Sequence, residues 1–109
     1  MKVQAVLISH QTPFNPVAKK IYETSTIMEA VKNYICDKIF NLEYELEDDV
    51  FKNMLLEYNL TLQKEKGNVY HLQKGQMDLY FSEDIEKIKE VHRRKGVQIK
   101  TGTGISTFE

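Results

Sequence analysis

Between Leu60 and Phe81 large apolar residues recur at every second position in three runs: Leu60 and Leu62, Tyr70 and Leu72, then Met77, Leu79 and Phe81. A period of two sends alternate side chains to opposite faces of an extended chain, so the stretch predicts three short strands sharing one apolar face. Gly67 and Gly75 stand between the runs, where tight turns need a left-handed residue. A three-residue hairpin at Glu65-Lys66-Gly67 pairs Leu60 with Leu72 and Leu62 with Tyr70. A two-residue loop at Lys74-Gly75 pairs Leu72 with Met77 and Tyr70 with Leu79. A four-residue loop in the second place keeps the parity, so both turns give the same buried face.

The rest of the chain supplies what a meander needs for cover. Residues 3–9 form an apolar, β-branched run that predicts a buried strand, and residues 10–16 break it with both prolines of the chain. Residues 17–24 alternate weakly, as a solvent-facing strand would. Thr26 and Glu29 make a capping box, and Ile27, Ala30, Val31, Tyr34, Ile35 and Ile39 recur at helical spacing, predicting a helix over 27–40. Residues 41–49 read as a loop or short exposed strand. Asp48 or Asp49 can cap a second helix over 50–58, with Asn59 as its left-handed stop. Ser82 can cap a third over 83–95, acidic in its first turn, basic in its last, and ended by Gly96. Glu83 with Lys87 and Glu90 with Arg94 are spaced for ion pairs along it. Residues 97–100 are a short strand candidate, and residues 101–109 a flexible tail or an edge strand.

The expected fold is therefore α+β: a small, mainly antiparallel sheet of strands near 60–64, 69–73 and 77–81 plus an N-terminal strand at 3–9, packed with three helices. A chain of 109 residues is one domain by length, 1–109. Its 41% hydrophobic and 28% charged residues are those of an ordinary globular domain.

Parity also gathers polar residues on the opposite sheet face. His71 is expected opposite Thr61 on one neighbour and Asp78 on the other, with Gln63, Gln73 and Tyr80 nearby. A carboxylate beside a histidine orients the ring, which is how a general base is built. The competing explanation is a cross-strand polar pair on a solvated face. His10, in the loop with Gln11, Thr12 and Asn15, is a second candidate for small-molecule chemistry. Cys36 falls on the polar side of the first helix as an accessible thiol, where Glu29 and Asp37 disfavour a thiolate.

Three histidines and one cysteine lack metal-site spacing, so neither metal nor cofactor is expected. Thr101-Gly102-Thr103-Gly104 lacks the lysine and following helix of a phosphate loop. Two charged clusters remain as binding candidates. One is acidic, Glu43, Glu45, Glu47, Asp48 and Asp49, without the glycine or spacing of a calcium loop. The other is basic, Arg93, Arg94 and Lys95 with His92, at the expected helix end.

Net charge is −1, so no global field draws the chain to nucleic acid or a membrane, and no apolar run is long enough to span one. A lone cysteine and a start without signal-peptide pattern suggest a cytoplasmic setting. The function expected first is a small non-catalytic accessory or inhibitor protein that acts by binding another macromolecule, a protein before nucleic acid; size and lack of motifs fit a phage or mobile-element origin. One alternative is a nucleic-acid-binding module using the basic end of the last helix. The other is a small hydrolase or nucleotide-binding protein using His71 and Asp78 or the His10 loop.

Overall fold

The computed structural model describes residues 1–9 and 14–101, with only the backbone described for Lys74 and residues 96–101. Among the described residues, five strands make one antiparallel sheet in the order β2-β1-β5-β4-β3: β1 (Lys2–Ser9), β2 (Ala18–Glu23), β3 (Thr61–Glu65), β4 (Val69–Lys74) and β5 (Met77–Ser82). Three helices complete the α+β domain: α1 (Ile27–Tyr34), continued by a π-helical turn (Ile35–Ile39), α2 (Asp48–Glu57) and α3 (Ile85–Thr101). The meander, the N-terminal strand and the weak strand after it are all present.

Both hairpins turn two residue numbers later in register than their sequence suggests. Leu62 pairs with Leu72 and Lys64 with Tyr70, while Leu72 pairs with Leu79 and Tyr70 with Phe81. Turn chemistry explains the slip. The β4–β5 loop is Gly75-Gln76, with Gly75 at φ +58° in the first central position, where a two-residue turn of this kind takes glycine. Lys74 thereby stays in the ladder, opposite Met77. The β3–β4 loop is Lys66-Gly67-Asn68, with Gly67 and Asn68 both left-handed at φ +78° and +58°. A slip of two preserves parity, so every side chain stays on its expected face. Thr61, however, lies opposite Gln73 rather than His71, and Gln63 takes its place.

The first sheet face carries Val3, Ala5, Leu72, Leu79 and Phe81, buried against Ile27, Ala30, Val31 and Ile35. Thr26 caps α1 by accepting from the Glu29 amide at 3.1 Å, while Glu29 Oε1 accepts from Ser25 N, one residue short of the cap. Neither Asp48 nor Asp49 caps α2; both lie in its first turn, where the helix dipole favours carboxylates. Its far end closes as expected at Asn59 (φ +56°), with Leu60 N donating to Leu55 O and Asn59 N to Leu56 O.

The second face, expected to be solvated, is covered. Val6, Ile8, Val69 and Tyr80 are buried there with Ile88 and Val91 of α3, so the sheet is sandwiched between helices. β1 is apolar on both of its faces and requires cover on both. At the start of α3, Asp84 rather than Ser82 takes the capping role: its Oδ1 accepts from Glu86 N at 2.9 Å, and Ser82 Oγ accepts from Asp84 N. Glu83 lies ahead of the helix, so the expected Glu83–Lys87 pair gives way to Glu86–Lys89, while Glu90 does pair with Arg94. Gly96 does not end α3, which runs through it to Thr101; residues 97–100 are helix, not strand. Residues 102–109, including the rest of the proposed tail, lie outside the described residues.

Candidate functional site

His71 on β4, Asp78 and Tyr80 on β5, and His92 on α3 come together beneath α3, at 4%, 2%, 0% and 5% exposure. The strand alternation points the first three at the same face, and the α3 stripe through Ile88, Val91 and His92 closes over them. His71 Nε2 lies 2.6 Å from Asp78 Oδ1, and Nδ1 lies 3.6 Å from Glu65 Oε2 at the end of β3. Lys95 Nζ sits 2.8 Å from the same Glu65 oxygen. A line of polar side chains thus runs Asp78–His71–Glu65–Lys95 from the sheet interior toward its edge. Only a protonated imidazole can donate toward both carboxylates; a neutral ring donates to one.

Tyr80 stacks on His71 with ring centroids 4.6 Å apart and planes 16° from parallel. Its hydroxyl shares a 3.1 Å hydrogen bond with His92 Nδ1, and Phe14 meets the His92 ring edge-on at 6.3 Å. Burial, with the charges of Asp78 and Glu65, pushes the Tyr80 phenol well above its ordinary range. Asp78 and His71 are therefore joined as parity suggests, across a diagonal of the ladder rather than directly opposite. They sit in the interior rather than on a solvated face. His10, with residues 11–13, lies outside the described residues.

Four consecutive basic positions on a helix point in directions about 100° apart. His92 accordingly faces the sheet, Lys95 binds Glu65, Arg94 approaches Glu90 at 3.6 Å, and Arg93 is exposed. The helix continues past them, so they are not its terminus. Arg93 and Arg94 are both exposed, while His92 and Lys95 are drawn in toward the sheet and Glu65.

The acidic segment is arranged differently. Glu43, Glu45, Glu47, Asp48 and Asp49 are all exposed, and Tyr44 among them is 64% exposed. Asp48 pairs with Lys32 at 3.0 Å, which joins α2 to α1 and raises the Lys32 ammonium above its ordinary range. Glu43, Tyr44 and Glu45 form one wall of an open cleft of about 390 Å³, whose other walls are Tyr22, Asn33, Cys36, Asp37 and Leu42. The π-helical turn places Cys36 and Asp37 there, with Leu42 N donating to Cys36 O at 2.8 Å.

Cys36 itself is buried at 4% exposure, contrary to its position on the polar side of the helical pattern. The reason is α2, which packs on that side: Lys32 reaches both Asp48 and the ring of Phe51, and Cys36 joins Phe40, Phe51 and Leu55 in the core. The buried Tyr22 hydroxyl has no hydrogen-bond partner among the described residues, and burial together with Asp37 raises its pKa.

Sequence reasoning missed Glu65 and His92 in the buried cluster, and Tyr22, Asn33 and Asp37 in the cleft. The α3 stripe continued one residue from Val91 would have found His92. No signal in the sequence marks the cleft, because it depends on where α2 comes to rest. Among the described residues, no group of three or more His, Cys, Asp or Glu side chains could hold a metal ion, and no helix is long and apolar enough to cross a membrane. In comparisons with known proteins, no family model matches the chain, and neither does any curated protein or solved structure.

Proposed function

We propose that the protein acts by binding another protein, in an accessory or inhibitory role within the cytoplasm, and that its contact surface is the acidic segment with the adjoining cleft. The observation that carries this reading is the concentration of Asp37, Glu43 and Glu45 around a 390 Å³ concavity with exposed Tyr44 on its rim. Carboxylates lining a cleft, with an aromatic among them, suit a basic, arginine- or lysine-bearing segment of a partner. Complementary charge of this kind speeds encounter and selects partners. The polar cluster beneath α3 has the chemistry of a general base but lies under a helix, and is better accounted for as a buried structural network.

The test compares capture by the wild type and by a Glu43→Lys/Glu45→Lys variant from lysate of cells that make the protein. The expected result is a basic partner retained by the wild type, lost to the variant, and released as salt rises. Equal retention by both proteins would overturn the reading.

A further inference from the structure

Among the described residues β2 is an open edge. It pairs there with β1 alone, every residue in it except Tyr22 is exposed, and its flank carries two large apolar side chains in water, Val17 at 65% and Ile21 at 57%. Neither a proline nor a covering element protects it among the described residues. The other edge, β3, leaves no large apolar side chain exposed. An open edge with apolar residues is a template for a further strand, and its charges, Lys19, Lys20 and Glu23, restrict which strand can pair with it.

The ladder fixes which groups β2 offers. Thr24 N donates to Met1 O at 3.0 Å, so that pair is hydrogen-bonded, and alternation along the antiparallel register makes Tyr22, Lys20 and Ala18 the residues bonded to β1. The backbone N–H and C=O groups of Lys19, Ile21 and Glu23 therefore point to the open edge. Their side chains share one sheet face, the side covered by α3.

We propose that this edge pairs with the same edge of a second copy of the chain, antiparallel about a two-fold axis at Ile21, joining two five-stranded sheets into one. Charge selects this register. Centred on Ile21, the pairing sets Ile21 against its symmetry mate and Lys19 against Glu23 of the other copy, twice over. It also sets Lys20 against the second copy's Tyr22, where Lys20 already lies 4.9 Å over the ring of its own Tyr22. Centring on Lys19, Lys20 or Glu23 opposes like charges, and centring on Tyr22 sets Ile21 against Glu23. Opposite charges directly across a ladder stabilise and like charges destabilise.

Three hydrogen-bonded pairs result, each exchanging two N–H···O bonds. The two-fold runs perpendicular to the sheet, so both copies keep α3 on one side and their acidic clefts on the other.

Sedimentation equilibrium from about 1 µM to about 1 mM, a range that covers weak to moderate self-association, tests this with four proteins. The wild type is expected to approach twice 12.8 kDa. Lys19→Glu and Glu23→Lys each turn two favourable cross-strand pairs into repulsive ones and should weaken association about tenfold or more. The Lys19→Glu/Glu23→Lys double variant restores opposite charges and should recover the dimer. Both substitutions are at exposed positions, and circular dichroism checks that each variant keeps the fold. A monomeric wild type throughout the range overturns the proposal. So does a dimer indifferent to the single charge reversals, or a folded double variant that stays monomeric.

Discussion

The interior pair His71–Asp78 gives the sharpest test of the account of the polar cluster. The contact is 2.6 Å long, at 4% and 2% exposure, and a buried charge-assisted hydrogen bond contributes on the order of 1.5–3 kcal/mol. His71→Ala also removes a ring stacked on Tyr80, which adds about 0.5–1.5 kcal/mol. The single variant should therefore lose roughly 2–4 kcal/mol, which for a domain of this size lowers Tm by about 8–16 °C. Because truncation also costs packing, the interaction itself is isolated by a double-mutant cycle. His71→Ala, Asp78→Ala and the double variant are unfolded in urea and followed by far-ultraviolet circular dichroism. The double variant should be less destabilised than the sum of the singles by about 1.5–3 kcal/mol. Additivity within about 0.5 kcal/mol would refute the coupling and with it the view that the two side chains form one buried unit.

Other outcomes follow from the same structure. Tyr80, Tyr22 and Tyr34 are all pushed upward by burial, so the native state keeps their protons after the unfolded chain loses them. The stability this contributes is fully present below about pH 10 and declines as pH rises above it. The phenolate absorbance of these three tyrosines should therefore appear only with alkaline unfolding; early, non-cooperative titration of all three would contradict it. Asp84→Ala removes the acceptor for Glu86 N and should cost about 0.5–2 kcal/mol in denaturant unfolding, whereas Ser82→Ala should not remove that cap. Gly75→Ala has open space around its new methyl but φ +58°, so it should cost about 1–2 kcal/mol from backbone strain alone. An unchanged midpoint would mean that the turn is not held in the left-handed region.

The sequence was most legible where one rule governed alone. Period-two spacing assigned each meander residue to its face, and this survived a two-residue slip in both hairpins because parity is indifferent to even shifts. Register was less legible: placing the loop at Gly75-Gln76 required weighing glycine's position inside the turn, which the apolar pattern does not encode. The covering of the second face was implied by β1, where Val6 and Ile8 are as apolar as Val3 and Ala5, but the polar residues of β4 and β5 concealed it. A buried histidine, aspartate and tyrosine look like surface until their partners are known. Cys36 and the cleft were illegible for another reason. Both depend on α2 folding back over α1 through an irregular segment and a π-helical turn, and no local period records where that segment leads.

The central claim, that the outer acidic surface and not the sealed cluster makes contact with the partner, is tested most directly by hydrogen exchange with mass spectrometry on the captured complex. New protection is predicted over residues 33–37 and 41–49, with exchange over 69–82 unchanged from the free protein. Protection confined to 61–65 and 91–95, beside Glu65 and Lys95, with none at the acidic segment, would contradict it.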